Sequence, residues 1–400
     1  MDRIRSIARC PSCGSEDVSL VLHVRDIPTH SCVLLDDPAA ARAFPKGDLA
    51  LSHCSACDFL YNAVFDPERM DYSEDYEETQ GCSPTFSRWL EDLAEELVER
   101  CSLDGGRVAE IGCGRGDFLE LLCRKGNGEG VGIDPSGTAG RVDLKAGRGL
   151  RFLRETYSEE HASLDPELIV CRHTLEHIGD VDGFLRLIRS NIGSSSEVTL
   201  FIEVPDVARQ LAEGAFWDFY YEHASYFSAG SLSSALMRAG FEVEETRLSY
   251  SGQYLQAFAR PTVASPSTAP DPELQAPVRA FRERAEESIA GWSRHISQVR
   301  SGGGRIALWG SGSKATGFLT SLENPEAVDV VVDINPAKHG KFVAGAGQRI
   351  ASPSDLVPLR PDLVVVMNPI YRKEIAADLE GMGLRPALLA VGEDDPGREP

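Results

Sequence analysis

Apolar residues along this chain fall in short runs, each closed by a glycine-containing turn and followed by a stretch of helical period. In "RVAEIGCGRGDFLELL" the run Val108 to Ile111 reads as a buried strand, Gly112, Gly114 and Gly116 as a turn, and the residues from Asp117 as a helix. "GVGID" gives a second strand, Leu168 to Cys171 in "PELIVCRHTLEHI" a fourth, and Val198 to Asp206 in "VTLFIEVPD" a fifth that ends in a proline turn. "ARPTVASPSTAPDPELQAP" (Ala259 to Pro277) is a linker by composition. From about Pro277 to Val299 the apolar Val278, Phe281, Ala285, Ile289, Trp292 and Ile296 recur at helical spacing, as a packing stripe does. "RIALWGSGSKATGFL", "DVVVDINP" and "PDLVVVMNPIY" then repeat the strand, turn and helix pattern in a second, smaller α/β unit, and "GEDDPGREP" closes the chain as a polar tail. Strands alternating with helices predict parallel sheets with ligands at their carboxyl edges. The division expected is 1–65, 66–260, a linker and helix over 261–300, and 301–395.

Composition narrows the partners. Four hundred residues, 42% of them hydrophobic, suffice for two or three cores. No run approaches the length of a membrane span, and "MDRIRSIARCPSCG" has no signal-like apolar segment, so a cytoplasmic protein without membrane partners is expected. A formal charge of −22 with no basic stripe argues against nucleic acid and leaves a small-molecule substrate, bound by a monomer or small homo-oligomer.

Four of the ten cysteines are patterned. Cys10-x-x-Cys13 and Cys54-x-x-Cys57 can set four thiolates around one tetrahedral ion, with Gly14 suited to the tight turn beside the first pair. Zinc is the natural ion, and four thiolates make a closed, structural site. The segment between the pairs is too poor in apolar residues for a convincing core of its own.

The turn Gly112-x-Gly114-x-Gly116 lets backbone approach a ligand closely, and Asp134, about 20 residues on, is placed to accept from ribose hydroxyls. With Glu110 just before it, the loop resembles the first motif of class I S-adenosylmethionine-dependent methyltransferases more than a dinucleotide fingerprint. "LEHI", as such enzymes often carry after the fourth strand, adds His177, and His173 joins the residues expected around the donor. "YYEHASYFS" is ambiguous on its residues alone: Tyr220, Glu222 and His223 suit either an aromatic plug or a catalytic site in which the carboxylate of Glu222 raises the proton affinity of His223. Gly310-x-Gly312-x-x-Ala315 with Asp333 meets a relaxed dinucleotide fingerprint, so a nicotinamide site and a purely structural half-domain are the rival readings there.

Taken in order, the two cysteine pairs, "EIGCGRG", "LEHI", Tyr220-x-Glu222-His223 with "SYFS", and "WGSGSKATGFL" resemble the three-domain sugar C-methyltransferases over nearly the whole chain. The resemblance implies a zinc-binding domain, a class I methyltransferase core and a C-terminal Rossmann-like α/β domain. It implies methylation at carbon of a 4-keto deoxysugar carried on a nucleoside diphosphate. His223 would be the base, with Tyr220, Glu222 and His177 around the sugar. Tyr72, Tyr76 and Ser83 in "DYSEDYEETQGCSPTF" would close over donor and sugar, and Gly310, Ser311, Gly312 and Lys314 would hold the diphosphate. O- or N-methylation of another metabolite, and a donor-binding protein without turnover, are the alternatives.

Overall fold

The computed structural model describes residues 9–70, 80–136, 149–265 and 270–396. Near the N-terminus β1 (Val18–Pro28) leads through a five-residue helix, α1 (Pro38–Arg42), to β2 (Lys46–Cys54), and β3 (Leu60–Asn62) follows. The three strands pair antiparallel in that order. Leu49, Leu51 and Leu60 are fully buried, but against residues far along the chain, among them Val207, Phe219, Phe281 and Phe318. This domain shares its core, as its low apolar content requires.

The middle of the chain runs α2 (Pro84–Arg100), β4 (Arg107–Ile111), α3 (Asp117–Lys125), β5 (Glu129–Ile133), β6 (Leu150–Leu153) and β7 (Leu168–Arg172). It continues through α4 (Val181–Ile192), β8 (Thr199–Pro205), α5 (Val207–Glu213), β9 (Ser225–Tyr226), α6 (Ala229–Ala239), β10 (Phe241–Ser249) and β11 (Tyr254–Pro261). Seven strands form one sheet in the order β10-β11-β8-β7-β4-β5-β6. The strands from β6 to β8 are parallel, as expected; β10 and β11 add an antiparallel hairpin at one edge that the pattern of turns did not announce. β9 does not join this sheet. Ser225 and Tyr226 pair with Tyr61 and Leu60, so the "YYEHASYFS" stretch completes the N-terminal sheet as a fourth strand.

The third part consists of α7 (Pro272–Ser301), β12 (Ile306–Trp309), α8 (Ser313–Ser321), β13 (Val330–Val332), β14 (Ile350–Ala351), α9 (Leu356–Leu359), β15 (Leu363–Val366), α10 (Arg372–Gly381) and β16 (Ala387–Ala390). Its five parallel strands have the order β14-β13-β12-β15-β16. The order reverses at β12, which puts the Gly310 turn at the switch point where α/β sheets bind ligands.

Two expectations are corrected here. The helix starts at Pro272, not near Pro277, because the Asp271 side chain accepts from Glu273 N at 2.9 Å and Pro272 needs no intrahelical donor; the linker shrinks accordingly, since β11 already extends to Pro261. Nor is the end of the chain merely a polar tail. Asp395 is buried and accepts from Trp292 Nε1 at 3.0 Å and Ser288 Oγ at 3.1 Å, tying the C-terminus to α7.

Gly47 in β2 tests the union of the first sheet with the middle domain. A Cβ there would stand 2.2 Å from Cε2 of Tyr221, whose hydroxyl accepts from Asp66 N at 3.0 Å. Gly47→Ala is expected to destabilise the protein by ~1–3 kcal/mol through this overpacking, measured by denaturant unfolding. Unchanged stability would mean that the ring of Tyr221 is not fixed there.

Candidate active site

The carboxyl ends of β4, β7 and β8 converge on one cleft of about 440 Å³, which continues to the turn after β12. Each glycine of the first turn has a local reason. Gly112 has φ +71° and a Cβ on it would lie 1.9 Å from Thr174 Oγ1; Gly114 and Gly116 also have positive φ. Gly112, Gly114 and Glu110 line the cleft, whereas Gly116 caps α3 and Asp134 stands behind the loop. Asp134 accepts from Gly114 N and Ser136 N, both at 2.8 Å, so it shapes the turn directly. Burial pushes Glu110 up to about 8, against the pull of the Arg172 guanidinium.

Beneath the same wall lies an ionic cluster that the sequence pattern did not single out. Arg172 bonds Glu203 at 2.8 Å and rests over the ring of Phe118 at 4.2 Å, and Gln256 donates to the other oxygen of Glu203 at 2.7 Å. Burial alone would raise Glu203, but Arg172, His173 and Gln256 bring it to about 2. His173 is opposed by burial yet raised to about 9 by Glu176 and Glu203, at 3.4 and 3.3 Å. It is therefore a cation at neutral pH, held in left-handed backbone (φ +47°) by its N–H bond to Glu203 O. Two residues, Arg172 and Glu203, could have been suspected only as strand-end charges facing each other across β7 and β8.

"YYEHASYFS" is both plug and site. Tyr221 packs on Phe65 and Tyr226 donates to Tyr220 O at 3.2 Å, while Tyr220, Glu222 and His223 line the cleft. His223 lies edge-on to His177 at 5.0 Å and to Tyr220 at 4.4 Å between ring centres. Burial, then His177 and His173, lower His223 well below its ordinary value, so its imidazole is neutral. This corrects the expectation for Glu222. Its carboxylate turns to Ser31 N and Ser31 Oγ, with His30 at 4.0 Å, and does not raise His223. The main-chain carbonyl of Glu222 instead accepts His177 Nδ1–H at 3.0 Å.

On the opposite wall, Gly310, Ser311, Gly312 and Lys314 line the cleft. Ser311 donates N–H and Oγ–H to Asp333, and Lys314 Nζ stands 3.2 Å from Asp218. Asp218 also binds Arg209 at 2.9 Å, a second half-buried cation at this wall. Ser83 lines the cleft but caps α2 through Phe86 N and reaches Glu374 Oε2 at 3.2 Å across the domain boundary. Tyr72 and Tyr76 lie outside the described residues.

The cysteines gather away from the cleft. Cys10 Sγ lies 3.8 Å from Cys57 Sγ and Cys13 Sγ 3.6 Å from Cys54 Sγ, and one sulfur of each fits within 4.8 Å of all the others. Tetrahedral bonds of ~2.3 Å would set neighbouring sulfurs about 3.8 Å apart, so the four thiols fit a single ion. Gly14, at φ +76°, donates to Cys10 O at 2.9 Å and closes the knuckle. No helix among the described residues is long and apolar enough to cross a membrane.

Comparison with known proteins agrees with this geometry. Residues 86–246 match a methyltransferase domain and residues 272–385 a C-methyltransferase C-terminal domain. The C-methyltransferase NovU of Streptomyces niveus is 25% identical over 397 residues, covering 94% of this chain and 92% of that protein. Ubiquinone biosynthesis O-methyltransferase of Aeromonas salmonicida is 29% identical over 134 residues, 32% of this chain and 53% of that protein, so the chain spans about half the length of that relative. The crystal structure of N,N-8-amino-8-demethyl-D-riboflavin dimethyltransferase from Streptomyces davawensis shares 20% identity over 44% of this chain and 55% of that one, with a TM-score of 0.37. The chain is thus a methyltransferase with the class I Rossmann-like core, followed by a C-methyltransferase C-terminal domain.

Metal analysis of protein purified without chelators is expected to find one zinc per chain. Cys54→Ser should lose it, with a stability loss on the order of several kcal/mol because the knuckle has no core of its own. Finding neither zinc nor iron would rule this out.

Proposed function

We propose that this protein is an S-adenosylmethionine-dependent C-methyltransferase acting on a keto sugar carried by a nucleoside diphosphate, with structural zinc in the N-terminal domain. The observation that carries the reading is the neutral, buried imidazole of His223 in the cleft that both the Gly112 turn and the Gly310 turn line. NovU, similar over nearly its full length, is named a C-methyltransferase, and the resemblance in motif order supports a nucleotide-linked sugar.

S-adenosylmethionine, when bound, supplies an electrophilic methyl group on a sulfonium. Glu110, Gly112 and Gly114 would hold it at the carboxyl edge of β4, with Asp134 fixing the turn through Gly114 N and with the cationic His173 and Arg172 beneath. A 4-keto group acidifies the neighbouring C3–H. His223 takes that proton, and the electron pair left on carbon spreads to the ketone oxygen as an enolate. The Tyr220 hydroxyl, pushed well above its ordinary value by burial, stays protonated and can donate to such an oxygen. With the donor bound, C3 would accept its methyl group as the thioether leaves, and His223 would return its proton to solvent. Lys314 and Arg209, both beside Asp218, and the backbone of the Gly310 turn suit the diphosphate.

Titration with thymidine diphosphate in the presence of S-adenosylhomocysteine is expected to show binding; none, with S-adenosylhomocysteine still bound, would discard the nucleotide-linked acceptor and keep the methyltransferase. His223→Asn should lower kcat by about 10³-fold and abolish deuterium uptake at C3 from D2O, with S-adenosylhomocysteine affinity within about threefold. Because burial lowers His223, the base is already deprotonated at neutral pH, and the acid limb of kcat/KM should fall below about pH 6.5. Undiminished deuterium uptake in the variant would remove His223 from the role of base.

A further inference from the structure

Two buried polar atoms in the cleft lack partners and belong to one cluster. Glu176 Oε2 and His223 Nδ1 make no hydrogen bond among the described residues, although Glu176 is 2% and His223 5% exposed. A carboxylate oxygen of Glu176 and a ring nitrogen each of His177 and His223 lie within 4.8 Å of one another. Buried polar atoms without partners are rare because each costs ~1–3 kcal/mol. Two complementary ones in one cluster point to a bond that tightens in the working complex.

We infer that Glu176 is the residue that positions His223: its carboxylate accepts Nδ1–H, fixes the imidazole in the tautomer whose Nε2 lone pair faces the acceptor, and stabilises the imidazolium formed when the proton is taken. The inference rests on the reading of His223 as base. Glu176 is itself well fixed. It sits in a short helical turn over Leu175–His177, and its other oxygen faces His173 Nδ1 at 3.4 Å. The chain enters this turn through the left-handed His173 and Thr174, whose hydroxyl donates to Arg172 O at 3.0 Å. The remaining titratable groups around His223 are His173 and His177 from the same loop and Tyr220 and Tyr226 from its own segment. Both histidines lower its proton affinity and both tyrosines are pushed up and stay neutral, so a bond to the Glu176 carboxylate would supply the favourable charge that these groups do not. A divalent ion on the same three side chains is disfavoured, because the His173 cation already faces the carboxylate.

Nitrogen-15 NMR of histidine-labelled full-length protein with S-adenosylhomocysteine bound tests this without any acceptor; the His223→Gln spectrum assigns one signal among nine histidines. Wild-type His223 is expected to carry its proton on Nδ1, and Glu176→Ala to move it to Nε2. Glu176→Gln keeps an acceptor and the side-chain size, so it should retain the tautomer. It should nevertheless lower kcat/KM about 100-fold with little change in KM, and shift the acid limb to lower pH, since removing the carboxylate lowers the proton affinity of the imidazole. A wild-type proton on Nε2, or kcat/KM within about threefold in Glu176→Gln with an unmoved acid limb, would overturn the inference. Absence of keto-sugar turnover in the wild type would instead overturn the function proposed above, while the tautomer still decides the role of Glu176.

Discussion

The buried carboxylate of Glu222 is the constraint around which the three domains are assembled. An ionised carboxylate taken out of water costs several kcal/mol unless donors replace its hydration. Here the donors come from the N-terminal domain, as Ser31 N–H and Ser31 Oγ–H. Ser31 is held in turn from the third domain: its Oγ lies 2.7 Å from Ser313 Oγ, and its carbonyl accepts Thr316 Oγ1–H at 3.1 Å. One charge in the middle domain therefore fixes the approach of the other two. The cleft exists because they approach there, since Cys32, His223 and Ser313 all line it.

The histidines in this cleft show how packing divides identical side chains into different roles. His173 lies between two carboxylates at the ends of β7 and β8 and is held cationic to about pH 9. His223, packed among aromatic rings and facing other histidines, is held neutral. A fixed cation suits a binding wall and a neutral imidazole suits a base, and environments that push such values apart mark the assignment of roles. His177 completes the set by spending Nδ1–H on the Glu222 carbonyl, which locks the two walls together.

What was legible in the sequence is what short-range physics dictates. The glycine turns after β4 and β12, the cysteine pairs and the apolar strands each follow from spacing within a few residues, and the structure has them where spacing puts them. What was not legible depends on partners far apart in the chain. Glu222 sits next to His223 in sequence, and that adjacency suggested a carboxylate tuning an imidazole. Its partner is Ser31, 191 residues away, because the chain turns at Tyr221 and Glu222, with His223 N donating to Tyr220 O at 3.3 Å, before Ser225 and Tyr226 pair with β3, and the turn sends the two side chains to different neighbours. Similarly, the shared core of the first domain could be inferred from its poverty in apolar residues, but not that Phe281 and Phe318 would supply the remainder.

That same turn explains why one stretch can be plug and site together. Tyr221 points into the shared core and Tyr226 bonds back to Tyr220 O, so the aromatic rings that crowd the segment anchor its backbone. An anchored backbone is what a general base requires, because misplacement by an ångström can cost two orders of magnitude in rate. The rings also exclude water, which keeps His223 neutral and strengthens any hydrogen bond it makes. Burial and reactivity are here one property: without Tyr220 and Tyr226 around it, the imidazole would be solvated, would titrate near its ordinary value, and would lose the fixed geometry in which Nδ1 and Nε2 do different work.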